Sequence, residues 1–243
     1  NQYGEEGPEG LINAWPLNEA YIDYVMGNDS SGIISNLSYE INANTIIASN
    51  MSEDDADVST GWHAIEFLLW GQDSSIESPG TRKASDYAGS GIIKERRRAY
   101  LKEASNLLLE HINWLNIQWS YNGKGRASFL EKADPGGAIL TGIATLAGFE
   151  LSSERIATAL DSGDPEDEHS CFSDQTHHDI RANFNGIRNV YLGIGLNSKK
   201  FSPSISQVVA EKNPALDKAI IELLEKTSNS IENITIPFDK MLS

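Results

Sequence analysis

An all-α fold arranged as two helical bundles is what this sequence predicts, and three observations carry the prediction. Apolar residues recur at three- and four-residue spacing over long stretches. Asp134-Pro135 and Asn213-Pro214 each place a capping side chain before a proline, the signal for a helix start. Nothing alternates convincingly enough for a strand.

Taken in order, residues 27–58 are rich in Asn, Ser and Asp without a clear period and are expected to be mostly loop. Between Gly61 and Gly71 lies a short, almost wholly apolar helix. Residues 91–119 form a long helix with Ile93, Leu101, Ala104, Leu108, Ile112, Leu115 and Trp119 on one side. The polar, Gly-containing stretch Tyr121 to Arg126 follows as a turn, and the boundary between bundles is placed there, giving units 1–125 and 126–243. A helix opened by Asp134-Pro135 is expected to run to about Asp161. Ser173 or Asp174 caps the next, with Ile180, Phe184, Ile187, Tyr191 and Ile194 along one face, and a last helix runs from Pro214 through Ile231.

Charge narrows the function classes. The 243 residues hold 19 Lys and Arg against 35 Asp and Glu, a net of −16, and no Lys or Arg precedes Arg82. Such a chain repels a phosphate backbone, so nucleic-acid binding is excluded as a reading. The single Cys171 supports neither an internal disulfide nor a thiolate zinc site. Pro135 to Phe149, the longest uncharged apolar stretch, falls short of the roughly 20 residues a membrane helix needs. The chain opens on Asn1 without a visible signal peptide, and we read it as a piece of a longer product whose missing signal says nothing about localisation.

Two polar anomalies stand out on apolar faces. His63 and Glu66 are the only polar side chains between Gly61 and Gly71, and three residues at about 100° each put them on one helix face. A buried carboxylate needs a cation, donors or a proton. The pair therefore reads either as a self-satisfied core contact or as metal ligands or an acid/base pair. In the helix after Pro135, Glu150 and Glu154 fall within about 20° of Ile143, in the middle of the stripe Ile139, Leu140, Ile143 and Leu151. Arg155 flanks them. This reads as a metal or strained acidic site, or as a stripe that emerges into solvent.

A third cluster spans Glu166 to Asp179. Glu166 and Glu168 are assigned to a solvated loop, His177 to the buried side of the following helix, and His178 to the opposite side. His111 reads as a core histidine, and Arg96-Arg97-Arg98 as a solvated face or a partner for the acidic first third. Several templates are incomplete: Phe67 follows Glu66 where His-x-x-Glu-His peptidases need a second His, no His-Glu-x-x-His occurs, and no Glu-x-x-His di-iron motif appears.

Gly61-Trp62-His63-Ala64-Ile65-Glu66 resembles the Gly-x-His-x-x-Glu signature of the imelysin-like family, which includes iron-regulated proteins of the bacterial envelope. The likeness continues through Phe67 to Asp73, through Glu6 to Gly10 and Asn13 to Leu17 upstream, and through Glu154-Arg155, Glu166 to Asp179 and Asn185 to Tyr191 downstream. It implies two related helical bundles packed side by side, with a site at their interface. Members are usually longer at both ends, and the expected location is the periplasm or an outer-membrane-anchored lipoprotein. Carried across residue by residue, the resemblance assigns His63, Glu66, Glu154, Arg155, Ser173, Asp174 and His177 to the site. Glu150 rests on helical phase alone.

The function expected is a protein linked to iron uptake that binds a divalent metal, iron or zinc, or a small iron-containing ligand, with envelope iron-transport components as partners. His63, Glu66, Glu150, Glu154 and His177 are the candidate metal ligands; Arg155, Ser173 and Asp174 would bind the ligand. The alternative is a metal-dependent peptidase in which Glu66 or Glu154 serves as the base. A third reading has arginine and carboxylates holding an organic ligand without metal.

Overall fold

A computed structural model describes residues 7–242, and their regular structure is helical, with only two isolated bridges, Val25–Asn28 and Ile194–Lys200, outside it. The Glu6 that opens the upstream block of family likeness lies outside the described residues. Two units divide the chain, the first ending at Pro135 and the second beginning at Gly136.

In the first unit, single helical turns at Glu9–Ile12, Glu19–Ile22 and Gly32–Ser35 precede α1 (Ala43–Ser49), α2 (Gly61–Trp70), α3 (Ile92–Trp119) and α4 (Lys124–Leu130). The segment expected to be loop thus contains α1. Its origin is a capping box: Asn42 Oδ1 accepts from the Thr45 amide at 3.1 Å, and Thr45 Oγ1 accepts from the Asn42 amide at 3.2 Å. The unit's fully buried apolar residues are Ile22, Ile34, Ile46, Val58, Phe67 and Leu68, with Tyr100 and Ala104 from α3. Only the first half of α3 is built this way, since Ile112, Trp114, Ile117 and Trp119 farther along are exposed.

Charge is also buried here. Asp23, fully buried, accepts hydrogen bonds from Arg97 Nε at 2.6 Å and Nη2 at 2.9 Å, and from Arg82 Nη1 at 2.5 Å. Neighbouring Arg96 donates to the backbone carbonyls of Ile33, Ile34, Asn36 and Tyr39. The arginine run is therefore a clasp for the acidic first third, and of the two readings offered for it the solvated face is wrong for Arg97. Arg82, the first base of the chain, closes the same clasp.

In the second unit, α5 (Pro135–Thr145) passes into a π-helical stretch, Leu146–Ala157, and ends as α6 (Thr158–Ser162). Next come α7 (Thr176–Leu192), α8 (Ile205–Lys212) and α9 (Pro214–Glu232), then a short 3₁₀ turn, Phe238–Met241. Asn213 Oδ1 accepts from the Leu216 amide at 3.1 Å, so α9 starts where its Asn-Pro pair predicts. Ile180, Phe184 and Ile187 of α7 pack with Leu151, Ala159, Ile231 and Phe238 as one core. Phe238 is the anchor that ties the C-terminal turn to this core.

Candidate functional site

The His63–Glu66 helix is set in place by its first residue and the chain before it. Gly61 has φ +87, and a Cβ there would meet the Ile12 carbonyl oxygen at 2.5 Å. Only glycine accepts both the left-handed backbone and the approach. Asn50 Oδ1 receives the Ser59 amide at 2.9 Å and the Thr60 amide at 3.2 Å, while Asn50 Nδ2 donates to the Gly10 carbonyl at 2.8 Å. Tyr100 Oη, from α3, donates to the Ser59 carbonyl at 2.8 Å. The backbone entering α2 is thus held from three sides, which fixes the rotation of the helix.

That rotation buries His63, Ala64, Glu66, Phe67 and Leu68. The helix is not buried all round: Trp62 is 51% exposed and Leu69 46%, so its uniformly apolar sequence overstates its burial. His63 Nδ1 lies 2.9 Å from Glu66 Oε2, and the Trp15 ring packs against the imidazole with centroids 4.8 Å apart at 60°. An ionised carboxylate only accepts, so Nδ1 carries the hydrogen and the bond sets both tautomer and ring orientation. The consequence is chemical: a ring held this way ligates through Nε2, with Glu66 as its orienting partner. Within the first unit, no third His, Cys, Asp or Glu converges with this pair among the described residues.

Glu150 and Glu154 are placed otherwise than the 100° phase predicts. The stretch from Leu146 to Ala157 is π-helical, and i→i+5 hydrogen bonding stacks residues five apart. Glu150 and Arg155 form such a pair, with Arg155 Nη2 3.4 Å from Glu150 Oε2. The Glu150 side chain is 38% exposed and Glu154 is exposed, so neither sits in the middle of a buried stripe. The wider turn corrects the helical-phase argument for where these two side chains point.

Residues 168–174 are the segment that sequence reasoning undervalued. All seven are buried, Glu168 at 0% exposure, although Glu168 reads as a solvated loop acid. The chain is drawn inward by polar contacts with the start of α7. His169 Nδ1 lies 2.9 Å from Asp179 Oδ2, Ser170 Oγ donates to the same oxygen at 2.5 Å, and the Ser170 amide donates to Thr176 Oγ1 at 3.1 Å. Asp174 takes φ +53, a left-handed backbone that Asp tolerates better than most residues. Ser173 and Asp174 on this segment and His177 at the start of α7, all assigned to the site by resemblance, are buried. His177 points inward and His178 is exposed, as the helical phase predicts. Burial, then the charges of His178 and Arg181, hold the His177 imidazole below its ordinary value.

Asp239, which no sequence signal marks, is 1% exposed on the C-terminal turn beside Phe238. One of its carboxylate oxygens lies within 4.8 Å of one of Asp174. Burial, followed by the neighbouring Asp239 carboxyl, pushes the Glu168 carboxyl from its ordinary 4.5 up to about 9. The Thr176 hydroxyl favours the ionised form of Glu168 without reaching hydrogen-bonding geometry to either of its oxygens. At neutral pH, with no cation present, Glu168 therefore keeps its proton.

All-helical units, a Gly-x-His-x-x-Glu helix and a buried Glu-His-Ser-Cys-Phe-Ser-Asp segment are the features of one family. The Imelysin (peptidase M75) family model matches residues 3–243, and the chain belongs to that family. Its fold is similar to the crystal structure of a Parabacteroides distasonis protein provisionally described as an iron-regulated protein A precursor. The TM-score is 0.62 at 20% sequence identity, covering 96% of this chain and 67% of that one. None of the curated proteins matches the chain. Among the described residues no helix is long and apolar enough to cross a membrane.

Proposed function

We propose that this chain is a bacterial envelope protein linked to iron uptake that binds a metal ion or a small iron-containing ligand, with His63 as a ligating residue. The carrying observation is the 2.9 Å contact between His63 Nδ1 and Glu66 Oε2 inside a buried helix face. A carboxylate behind a histidine raises the basicity of the ring and fixes its outer nitrogen toward a ligand. The first unit's His63 fits an ion that accepts one such imidazole, and Glu154, Arg155, Ser173, Asp174 and His177 are the further candidates that the resemblance implies. Iron or zinc would supply Lewis-acid or cargo chemistry there; the chain's own part is to orient the imidazole and hold it under Trp15.

The peptidase alternative draws less support from the geometry. A catalytic zinc site needs three protein ligands and a base, whereas Glu66 is already engaged in orienting His63. The deciding experiment purifies the chain without chelator and measures bound metals in wild type, His63→Ala and Glu66→Gln. We expect metal in the wild type, loss in His63→Ala and roughly ten- to hundredfold weaker retention in Glu66→Gln. Wild-type protein that takes up neither iron nor zinc would sink the reading. Chelator-sensitive cleavage of a protein substrate, abolished by both changes, would put the peptidase first.

A further inference from the structure

We propose that the hairpin loop at residues 193–201, which follows α7, is a contact for an anionic lipid surface. Leu196 enters the bilayer interface, and Lys199 and Lys200 meet the headgroups. The contact is separate from the His63 reading and stands or falls without it. Leu196 is 91% exposed, the most exposed large apolar side chain among the described residues, and Phe201 is 55% exposed. A closed loop holds them there. Asn197 and Ser198 take φ +56 and +59, and the Lys199 amide donates to the Leu196 carbonyl at 3.2 Å, as in a tight type I′ turn. The Gly195 amide donates to the Lys199 carbonyl at 2.7 Å, and the Phe201 amide to the Gly193 carbonyl at 2.8 Å. The Phe201 ring closes over Gly195, where a Cβ would collide with it, and Leu196 is left outside. Two consecutive left-handed residues other than glycine are uncommon and cost free energy. What they produce here is a pinned turn that keeps an apolar side chain in water.

Charge selects the partner. In a chain of net −16, residues 180–210 hold Arg181, Arg188, Lys199 and Lys200 and no acid, the longest acid-free run of the sequence. Arg181 is paired with Glu232 at 3.1 Å, but among the described residues no carboxylate pairs with Lys199 or Lys200. Both lysines are exposed, and the Lys199 ammonium stands 5.1 Å over the Phe201 ring. An exposed Leu and Phe beside two uncompensated positive charges is the composition of segments that rest in a headgroup layer. Lysine stems lie along the apolar surface there while their ammonium groups stay at the phosphates. Shape points the same way. A stable protein interface takes about 800 Å² from each partner, more than one protruding turn supplies. A fluid bilayer closes around a convex tip instead. A second copy of the chain, itself at −16, is a poorer partner still.

The test sediments the whole chain with vesicles of phosphatidylcholine alone and of phosphatidylcholine and phosphatidylglycerol in equal parts, at low salt. We expect binding to the phosphatidylglycerol vesicles, little to phosphatidylcholine, and release at high salt. Leu196→Ser should weaken the partition by at least about tenfold, the loss of one inserted leucine side chain. Neutralising both lysines, Lys199→Gln with Lys200→Gln, should weaken it by about 25-fold, fivefold for each charge near the surface. Lys218→Gln removes the same charge from an exposed lysine of α9 and should change nothing. All four positions are exposed, so the variants should fold, and circular dichroism verifies it. Wild-type protein that ignores the phosphatidylglycerol vesicles overturns the proposal. So does undiminished binding in Leu196→Ser or in the double lysine variant, and so does an equal loss in Lys218→Gln, which would reduce the effect to bulk charge. Retention on immobilised polyglutamate through Lys199 and Lys200, without vesicle binding, would make the loop a protein contact and overturn the lipid assignment.

Discussion

Replacing Gly61 by alanine tests why the signature begins with glycine. The backbone there has φ +87, and an L-residue in that region costs about 1–2 kcal/mol. Part of that is offset, by about 0.4–1 kcal/mol, because alanine lowers the entropy of the unfolded chain. Gly89 isolates this conformational cost: its φ is +83, and an added Cβ meets nothing within 4 Å. Gly89→Ala should therefore destabilise by about 1 kcal/mol. At Gly61 the Cβ would also stand 2.5 Å from the Ile12 oxygen and 2.7 Å from its carbonyl carbon. Backbone atoms must move to relieve that contact, and overpacking of this kind adds about 1–3 kcal/mol. Gly61→Ala should then cost about 2–4 kcal/mol in all. All five tryptophans, at 15, 62, 70, 114 and 119, precede Pro135, so urea unfolding followed by tryptophan fluorescence reports on the first unit alone. Equal losses in the two variants would refute the role given to the Ile12 contact. A Gly61→Ala midpoint indistinguishable from wild type would refute the backbone argument too.

Asp23→Asn strips Arg82 and Arg97 of their buried carboxylate and should cost about 3–5 kcal/mol, read by the same fluorescence; a loss below about 1 kcal/mol would show that the clasp contributes little. Glu168 supplies a pH dependence for the second unit. Its carboxyl lies near 9 when folded against 4.5 ordinarily, so the folded state holds the extra proton. The stabilisation is complete below about 4.5 and is lost as pH rises toward 9, so in EDTA the part of the circular-dichroism transition not accompanied by tryptophan fluorescence should weaken across that window. Glu168→Gln should flatten the trend, and an equally steep slope in that variant would assign the proton to another group. Cys171, 2% exposed in the middle of the 168–174 segment, should resist a thiol reagent in the native protein and react fully in urea; fast native reaction would mean that this segment is open.

What the sequence discloses depends on whether a residue's environment is local. The face of α7, the start of α9 at Asn213-Pro214 and the span of α3 follow from periodicity and capping, which act within a turn or two. Two missed helices were legible by the same logic. Asn42 with Thr45, and Ser204 with Gln207, are capping pairs three residues apart, and both open helices. Glu150 and Glu154 failed because the 100° rule presumes α geometry, and no residue type in Leu146–Ala157 announces a π turn. Glu168 and Asp239 were illegible for a deeper reason. An acid beside Asp167 in an acidic run has every local mark of a solvated loop. Its neighbours His169 and Ser170 are tied to Asp179 and Thr176, and its own carboxyl lies beside Asp239, some seventy residues along the chain. A carboxylate that tertiary contacts force inward without a donor is one that local propensity could not have placed there. Local pattern sees an exposed acid such as Glu154 and a buried one such as Glu168 alike, and only the tertiary fold separates them.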